Sequence, residues 1–340
     1  MLLTLGDPAG VGPDCVLRAF DAHPGEFSDV TVIASPHWLE ERAREIGMHV
    51  NIRESSEPGC QSDFALNPTI PAGNAPSDNN FLRCWPAGIN NNHHVSCGRP
   101  DCNTAGDVIH CIRTAAEACL DGRARAMITG PIDKSVLREA GFSFPGHTEF
   151  LAHLADTKQV VMMLASDQVS VSLLTTHMAL KEVPTQLSVE KTVDCLCLIN
   201  HELKARFKLE NPRLALCSLN PHAGEKGIFG KEELEVLIPA VRQAQANDIN
   251  IKGPFPADTL FSEGKRSDFD TIVCCYHDQG LIPIKALSFG GAVNITLGLP
   301  FVRTSPDHGT GLDRAGSPDV SYSSLLKAIQ MARSTSLHYS

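Results

Sequence analysis

The sequence has no excess of positive charge: Lys and Arg number 29 against 39 Asp and Glu, for a net charge of −10. That disfavours a nucleic-acid or anionic-membrane partner, and any anionic substrate must therefore meet cations placed locally. No apolar run reaches transmembrane length. The N-terminal MLLTLGDPAG meets a glycine turn after five residues with no basic stretch before it, unlike a secretory signal. A cytoplasmic protein without a membrane or nucleic-acid role is the expectation. The dinucleotide fingerprint G-x-G-x-x-G is missing, as is any internal repeat of fixed period.

What is present is a chain of 340 residues, 42% hydrophobic and 20% charged, the balance of a globular protein. Its length suggests two domains, or one large α/β unit with a deep cleft. Cysteines number 12, yet Cys15, Cys195, Cys197, Cys217, Cys274 and Cys275 sit inside apolar runs, which reads as small buried hydrophobes rather than disulfides. Cys84, His93, His94, Cys97 and Cys102 crowd into CWPAGINNNHHVSCGRPDC, but their spacing fits no standard zinc module, and a surface loop is the simpler reading.

Apolar runs alternate with helical patterns, the signature of a mostly parallel α/β sheet. LLTL leads into GDPAGVGP and the helical DCVLRAF; DVTVIAS leads into HWLEERAREIG; ARAMITG precedes DKSVLREAG. VVMMLAS and VSVSLLTTH are close enough to pair as an antiparallel excursion. Val189, Val193, Leu196, Ile199, Leu203 and Phe207 recur every three or four positions, which predicts an amphipathic helix over 188–208. RLALCSLN, a helix in 231–247, TIVCCYH, AVNITLG and a last helix near 319–333 follow. Residues 54–105, rich in Pro, Gly, Asn and Ser, read as long excursions.

Three strand-like runs end on a histidine: VSVSLLTTH at His177, RLALCSLNPH at His222 and TIVCCYH at His277. Ligands of open α/β sheets bind beyond the carboxyl ends of strands. Three imidazoles there suit a catalytic divalent ion with open coordination positions, and Asp278 and Glu225 are adjacent to orient two of the rings. The plain alternative for each is a hydrogen-bonded structural histidine. Downstream, Lys285 on a helical stretch, Asn294 in a strand pattern and Arg303 past Pro300 suit a phosphate or carboxylate, against the alternative of surface cations beside an ordinary asparagine. GDPAGVGP is a strand-to-helix turn that is either an anion cradle or simply tight. SPDHGTGLDRAG is a second glycine-bearing loop, with Asp307, His308 and Gly309 as cofactor candidates.

Taken in order, GDPAGVGP, ITGPIDK, GFSFPGHTEF, LLTTHMAL, LNPHAGEKG, GPFPADTLF, YHDQGLIPIK and VNITLGLPFVRTSPDHGTG closely resemble the 4-hydroxythreonine-4-phosphate dehydrogenase (PdxA) family of vitamin B6 biosynthesis, over residues 6 to about 316. The resemblance implies an isocitrate/isopropylmalate dehydrogenase-like fold. It implies two α/β/α domains flanking a cleft, the first from 1–127 plus 303–340 and the second from 128–302. It places His177, His222 and His277 on metal ligands, and His147, Thr148, Lys285, Asn294 and Arg303 on substrate contacts. It implies NAD, with NADP as the variant, and one divalent ion per subunit, zinc or alternatively cobalt or magnesium. It also implies a homodimer with the active site at the interface. Asp133 departs from the family, where His or Asn is common.

The implied reaction is oxidation of the C3 hydroxyl of 4-phosphooxy-L-threonine to a 2-amino-3-oxo acid, which loses carbon dioxide to give 3-amino-2-oxopropyl phosphate. Lys134, Asp258 and Asp278 are the candidates for the general base. Rival readings are a dehydrogenase of threonate or erythronate 4-phosphate, a metal-dependent phosphohydrolase and a non-catalytic binding protein.

Overall fold

The structure, a computed structural model, describes residues 1–57, 81–87, 95–288 and 290–336. The chain divides into two compact units: Met1–Thr157 joined by the segment that starts at Leu299, and Lys158–Gly298.

The first unit begins with β1 (Leu2–Thr4), α1 (Gly12–Ala22), β2 (Thr31–Ile33), α2 (Pro36–Glu45), β3 (Ile52–Glu54) and β4 (Leu82–Trp85). It continues with α3 (Ala105–Leu120), β5 (Ala126–Thr129), α4 (Lys134–Glu139) and α5 (His147–Leu154). The second unit holds β6 (Val161–Ala165), β7 (Ser170–Leu173), α6 (Val183–Gln186), α7 (Val189–Phe207), β8 (Leu214–Cys217), α8 (Ile238–Ala246) and β9 (Ile251–Phe255). After these come α9 (Ala257–Leu260), α10 (Glu263–Arg266), β10 (Thr271–Cys274), α11 (His277–Leu287) and β11 (Val293–Leu297). The chain then returns to the first unit as β12 (Val302–Pro306) and α12 (Ser323–Ser336).

Strands of the first unit lie in the order β3-β4-β2-β1-β5-β12, every pair parallel. From β1 the chain fills one side with β2 and β4 and the other with β5 and β12, so the switch point where ligands bind such sheets falls at the carboxyl ends of β1 and β5. Strands of the second unit run β11-β6-β7-β10-β8-β9. Here β7, β10, β8 and β9 are parallel, and β6 pairs antiparallel with both β7 and β11. The antiparallel excursion expected from VVMMLAS and VSVSLLTTH is present.

The AMIT, LALC and TIVC strands are buried at every position, as in a sheet covered on both faces. In the second unit Leu164, Val171, Leu173, Ala215, Ile272 and Ile284 form the core. The predicted 188–208 helix is α7, which starts where the Ser188 hydroxyl accepts from the Lys191 amide at 3.2 Å and buries Val193, Leu196, Ile199 and Leu203.

Two expectations change. Residues 128–157 and 299–302, expected in the second domain, group with the first unit, because β5 pairs with β1 and β12 and α5 packs on α3. The stretch 54–105 is more than excursion and surface loop, since β4 lies inside it and Cys84 is fully buried with its thiol donating to the Ala34 carbonyl at 3.1 Å. LRCW carries a charged residue in its middle and lies among turn-forming neighbours, which hides it as a strand. His93 and His94 lie outside the described residues.

Candidate active site

In the second unit the sheet order makes β7, β10 and β8 consecutive neighbours, all parallel. The segments after these three strands carry His177, His277 and His222 respectively. Hydrogen bonds join the strand ends to one another. Thr175 Oγ1 donates to the Cys275 carbonyl at 2.7 Å, the Cys275 amide donates to Gln279 Oε1 at 2.7 Å, and Gln279 Nε2 donates to the Ser218 carbonyl at 2.7 Å. Gln279 thus bridges the end of β10 to the end of β8.

The His177 and His277 ring centres are 5.2 Å apart. Two imidazoles on one tetrahedral ion, with metal–nitrogen bonds of about 2 Å, bring their centres to about 5 Å. His277 Nδ1 is 2.8 Å from Asp278 Oδ1, the pairing that fixes which ring nitrogen faces outward. A neutral nitrogen donor set of this spacing fits a divalent transition metal. His222 lies at the next strand end, its ring 6.3 Å from Phe229. Among the described residues no three His, Cys, Asp or Glu side chains of this one chain converge at ligand spacing.

His222 sits on an unusual backbone. Residues His222, Ala223, Gly224, Glu225 and Lys226 have φ of 51°, 53°, 74°, 40° and 57°, a left-handed turn. Each non-glycine residue in that region costs about 1–2 kcal/mol, so the four together store several kcal/mol that the surroundings must offset. The carboxylate of Glu233, a residue only 1% exposed, meets Asn220, the residue that leads into this turn. It accepts from the Asn220 amide at 2.7 Å and from Asn220 Nδ2 at 3.0 Å.

The other candidates divide by unit. His147, Thr148 and Arg303 belong to the first, Lys285 and Asn294 to the second. Arg303 is 3% exposed and donates from Nε at 3.1 Å and Nη2 at 2.7 Å to Thr129 Oγ1, at the end of β5. Burial lowers its pKa from 12.5 to about 10, so it stays charged at neutral pH. His147 opens α5. Burial first, then the positive charges of Arg303 and Lys134, push its imidazole well below the ordinary 6.5, and it is neutral. Its Nε2 is buried without a hydrogen-bond partner, as is Asn294 Oδ1. Buried polar atoms are rarely left so, and a polar ligand is the natural partner. Lys285 is exposed on α11.

Asp133 caps α4, its carboxylate accepting from the Ser135 and Val136 amides at 2.9 and 3.2 Å, which explains how an aspartate serves at that position. Lys134 and Asp258 are both exposed, Lys134 at the start of α4 and Asp258 just beyond β9. The glycines of GDPAGVGP are there for close approach: a Cβ at Gly12 would lie 2.0 Å from the Leu5 carbonyl oxygen. The Val11 amide is already bonded to the Thr310 carbonyl at 2.8 Å, so this turn packs against the loop that bears Asp307, His308 and Gly309. His308 Nε2 is a further buried atom without a partner.

Sequence reasoning passed over Glu233, Gln279, Thr175 and Thr129. Glu233 reads as part of a solvated acidic helix face in KEELEVL, and only the fold turns it inward.

Comparison with known proteins bears on the whole chain. A family profile described as pyridoxal phosphate biosynthetic protein PdxA matches residues 26–332. The chain belongs to the PdxA family. It is 42% identical to the 4-hydroxythreonine-4-phosphate dehydrogenase of Ectopseudomonas mendocina, over 98% of this chain and 96% of that one. It is 40% identical to that of Pseudomonas aeruginosa, over 97% and 96%. Its structure superposes on the crystal structure of 4-hydroxythreonine-4-phosphate dehydrogenase from Klebsiella pneumoniae with a TM-score of 0.84 at 31% identity, covering 98% of both chains. The motifs from GDPAGVGP to SPDHGTG thus lie in a PdxA-family fold. No helix among the described residues is long and apolar enough to cross a membrane.

Proposed function

We propose that this PdxA-family protein is a divalent-metal-dependent dehydrogenase that oxidises 4-phosphooxy-L-threonine at C3 with NAD, giving a 2-amino-3-oxo acid that decarboxylates to 3-amino-2-oxopropyl phosphate. The observation that carries this reading is similarity to dehydrogenases of that name along 98% of the chain. His177 and His277 hold the ion with His222 as third ligand, and Asp278 orients the His277 ring. A divalent cation bound there supplies the positive charge that lets a nearby oxygen lose its proton near neutral pH. NAD supplies the hydride acceptor, with the Asp307–Gly309 loop in the first unit as its contact.

The remaining residues bind and orient. Arg303 offers a permanent cation held in place by Thr129, and His147 a neutral imidazole with an open Nε2. With Thr148, Lys285 and Asn294 they suit a phosphorylated, carboxylate-bearing substrate. Lys134, Asp258 and Asp278 remain the candidates to move the hydroxyl proton.

The protein acts as a homodimer, with the second copy covering the histidine-bearing face. Exposed apolar side chains support this: Leu180 at 65%, Ile228 at 73%, Phe229 at 51% and Ile282 at 67% lie near the three histidines in sequence.

The test is NADH formation from 4-phosphooxy-L-threonine, with and without chelator, alongside threonate 4-phosphate. NADH appearing with the amino acid, lost on chelation and restored by zinc or cobalt, is expected. His177→Ala and His277→Ala should lower bound metal and turnover together. Faster turnover of the hydroxy acid, or free phosphate without NADH, would overturn the assignment.

A further inference from the structure

We propose that Glu233 is a positioning residue for the metal: its buried carboxylate holds the left-handed turn Pro221–Gly227 in the one form that presents His222 as a ligand. This rests on the reading that His222 binds the ion.

The restraint is specific to a carboxylate. Asn220, the residue before the turn, offers a backbone N–H and two Nδ2 hydrogens. Glu233 Oε1 takes the backbone N–H at 2.7 Å, Glu233 Oε2 takes Nδ2 at 3.0 Å, and Glu232 Oε2 takes Nδ2 at 2.7 Å. Both oxygens of Glu233 act as acceptors, so an amide in its place would set a donor against a donor. Room is reserved for this arrangement. A Cβ on Gly224 would lie 2.6 Å from Glu233 Oε2, and one on Gly230 would lie 2.4 Å from Asn220 Nδ2. Glu233 is also the first residue of a single π-helical turn, Glu233–Leu237, ahead of α8. Such widened turns concentrate at functional sites.

The carboxylate belongs to the same cluster of strand ends. Its bonds to Asn220 fasten it to the segment that follows β8. Without Glu233 the Asn220 amide and one Nδ2 hydrogen lose the acceptors that fix the residue entering the run of positive φ. The turn then relaxes toward right-handed backbone, and the His222 imidazole leaves the place the ion requires.

Zinc and cobalt titrations of the intact protein by calorimetry test this, with unfolding temperatures of the metal-free variants measured in parallel. Partners that orient metal ligands typically account for about 10- to 100-fold in affinity, and Glu233→Ala should weaken binding by that much. Glu233→Gln, which keeps one acceptor, should fall between it and the wild type. In a His222→Ala background Glu233→Ala should cause no further loss, an outcome that a general loss of stability would not produce. Wild-type affinity in a folded Glu233→Ala or Glu233→Gln protein, or a full further loss in the double variant, would overturn the proposal. Wild-type affinity in His222→Ala would instead overturn the underlying metal assignment, so the two failures are told apart.

Discussion

Arg42 and Asp14 make the sharpest stability prediction, because both are buried and charged, at 2% and 0% exposure. Arg42 Nε donates to Asp14 Oδ1 at 2.7 Å, and Nη2 reaches the Gly10 carbonyl at 3.3 Å. Its Nη1 points at the Cys97 sulfur. Asp14 Oδ2 accepts from the Gly316 amide at 2.7 Å. One ion pair therefore ties α1 and α2 to both glycine-bearing loops. Arg42→Met leaves a buried carboxylate with its cation gone, and breaking such a pair costs about 3–5 kcal/mol. For a unit of this size each kcal/mol is worth about 2–4 °C, so the melting temperature should fall by about 6–20 °C. Arg42→Met with Asp14→Leu removes both charges and should be less damaging than either single change. It still loses about 1–3 kcal/mol through the stranded Gly316 amide. Thermal and urea unfolding of the four proteins gives the coupling. Additive losses in the double variant, or a drop of less than about 1 kcal/mol in Arg42→Met, would refute the reasoning.

His147 gives a pH prediction and the cysteines a chemical one. In the native state the His147 pKa lies well below 6.5, so the unfolded chain takes up a proton there that the folded protein refuses. Its contribution is therefore neutral above the unfolded pKa and turns destabilising as pH falls below it, by up to about 1.4 kcal/mol per unit. Urea unfolding at about pH 7.5 and about pH 5.5 should show the wild type losing more stability than His147→Gln; parallel losses would contradict the buried, neutral imidazole. Burial pushes the Cys15, Cys84, Cys119 and Cys195 thiols up to about 12. Brief alkylation near pH 8, read by mass spectrometry, should label exposed Cys102 and spare those four. Equal labelling would show that the helices and the strand carrying them open readily.

Most of the architecture was legible in the chain because burial imposes a period. The alternation of apolar runs with helical patterns located β1, β2, β5, β8 and β10, and the spacing from Val189 to Phe207 marked α7. β3 and β4 escaped, since IRE is polar and largely exposed and LRCW lies among turn-forming residues. The boundary at 127 misplaced α4 and α5 because a linear pattern does not say against what a helix packs.

The site shows the same division. Whereas His147 came from the family resemblance, residue type and position along the chain marked His177, His222 and His277 as strand-end imidazoles and Lys285, Asn294 and Arg303 as groups for an anionic ligand. That was chemistry readable from side chains and from where runs stop. Only the fold made β7, β10 and β8 neighbours, brought the His177 and His277 rings to 5.2 Å and buried Arg303 against Thr129. Only the fold turned Glu233 from an apparent surface charge into a buried acceptor for Asn220, beside a left-handed turn. Strand order, ring spacing and burial depend on contacts between residues far apart in the chain, which no local pattern encodes.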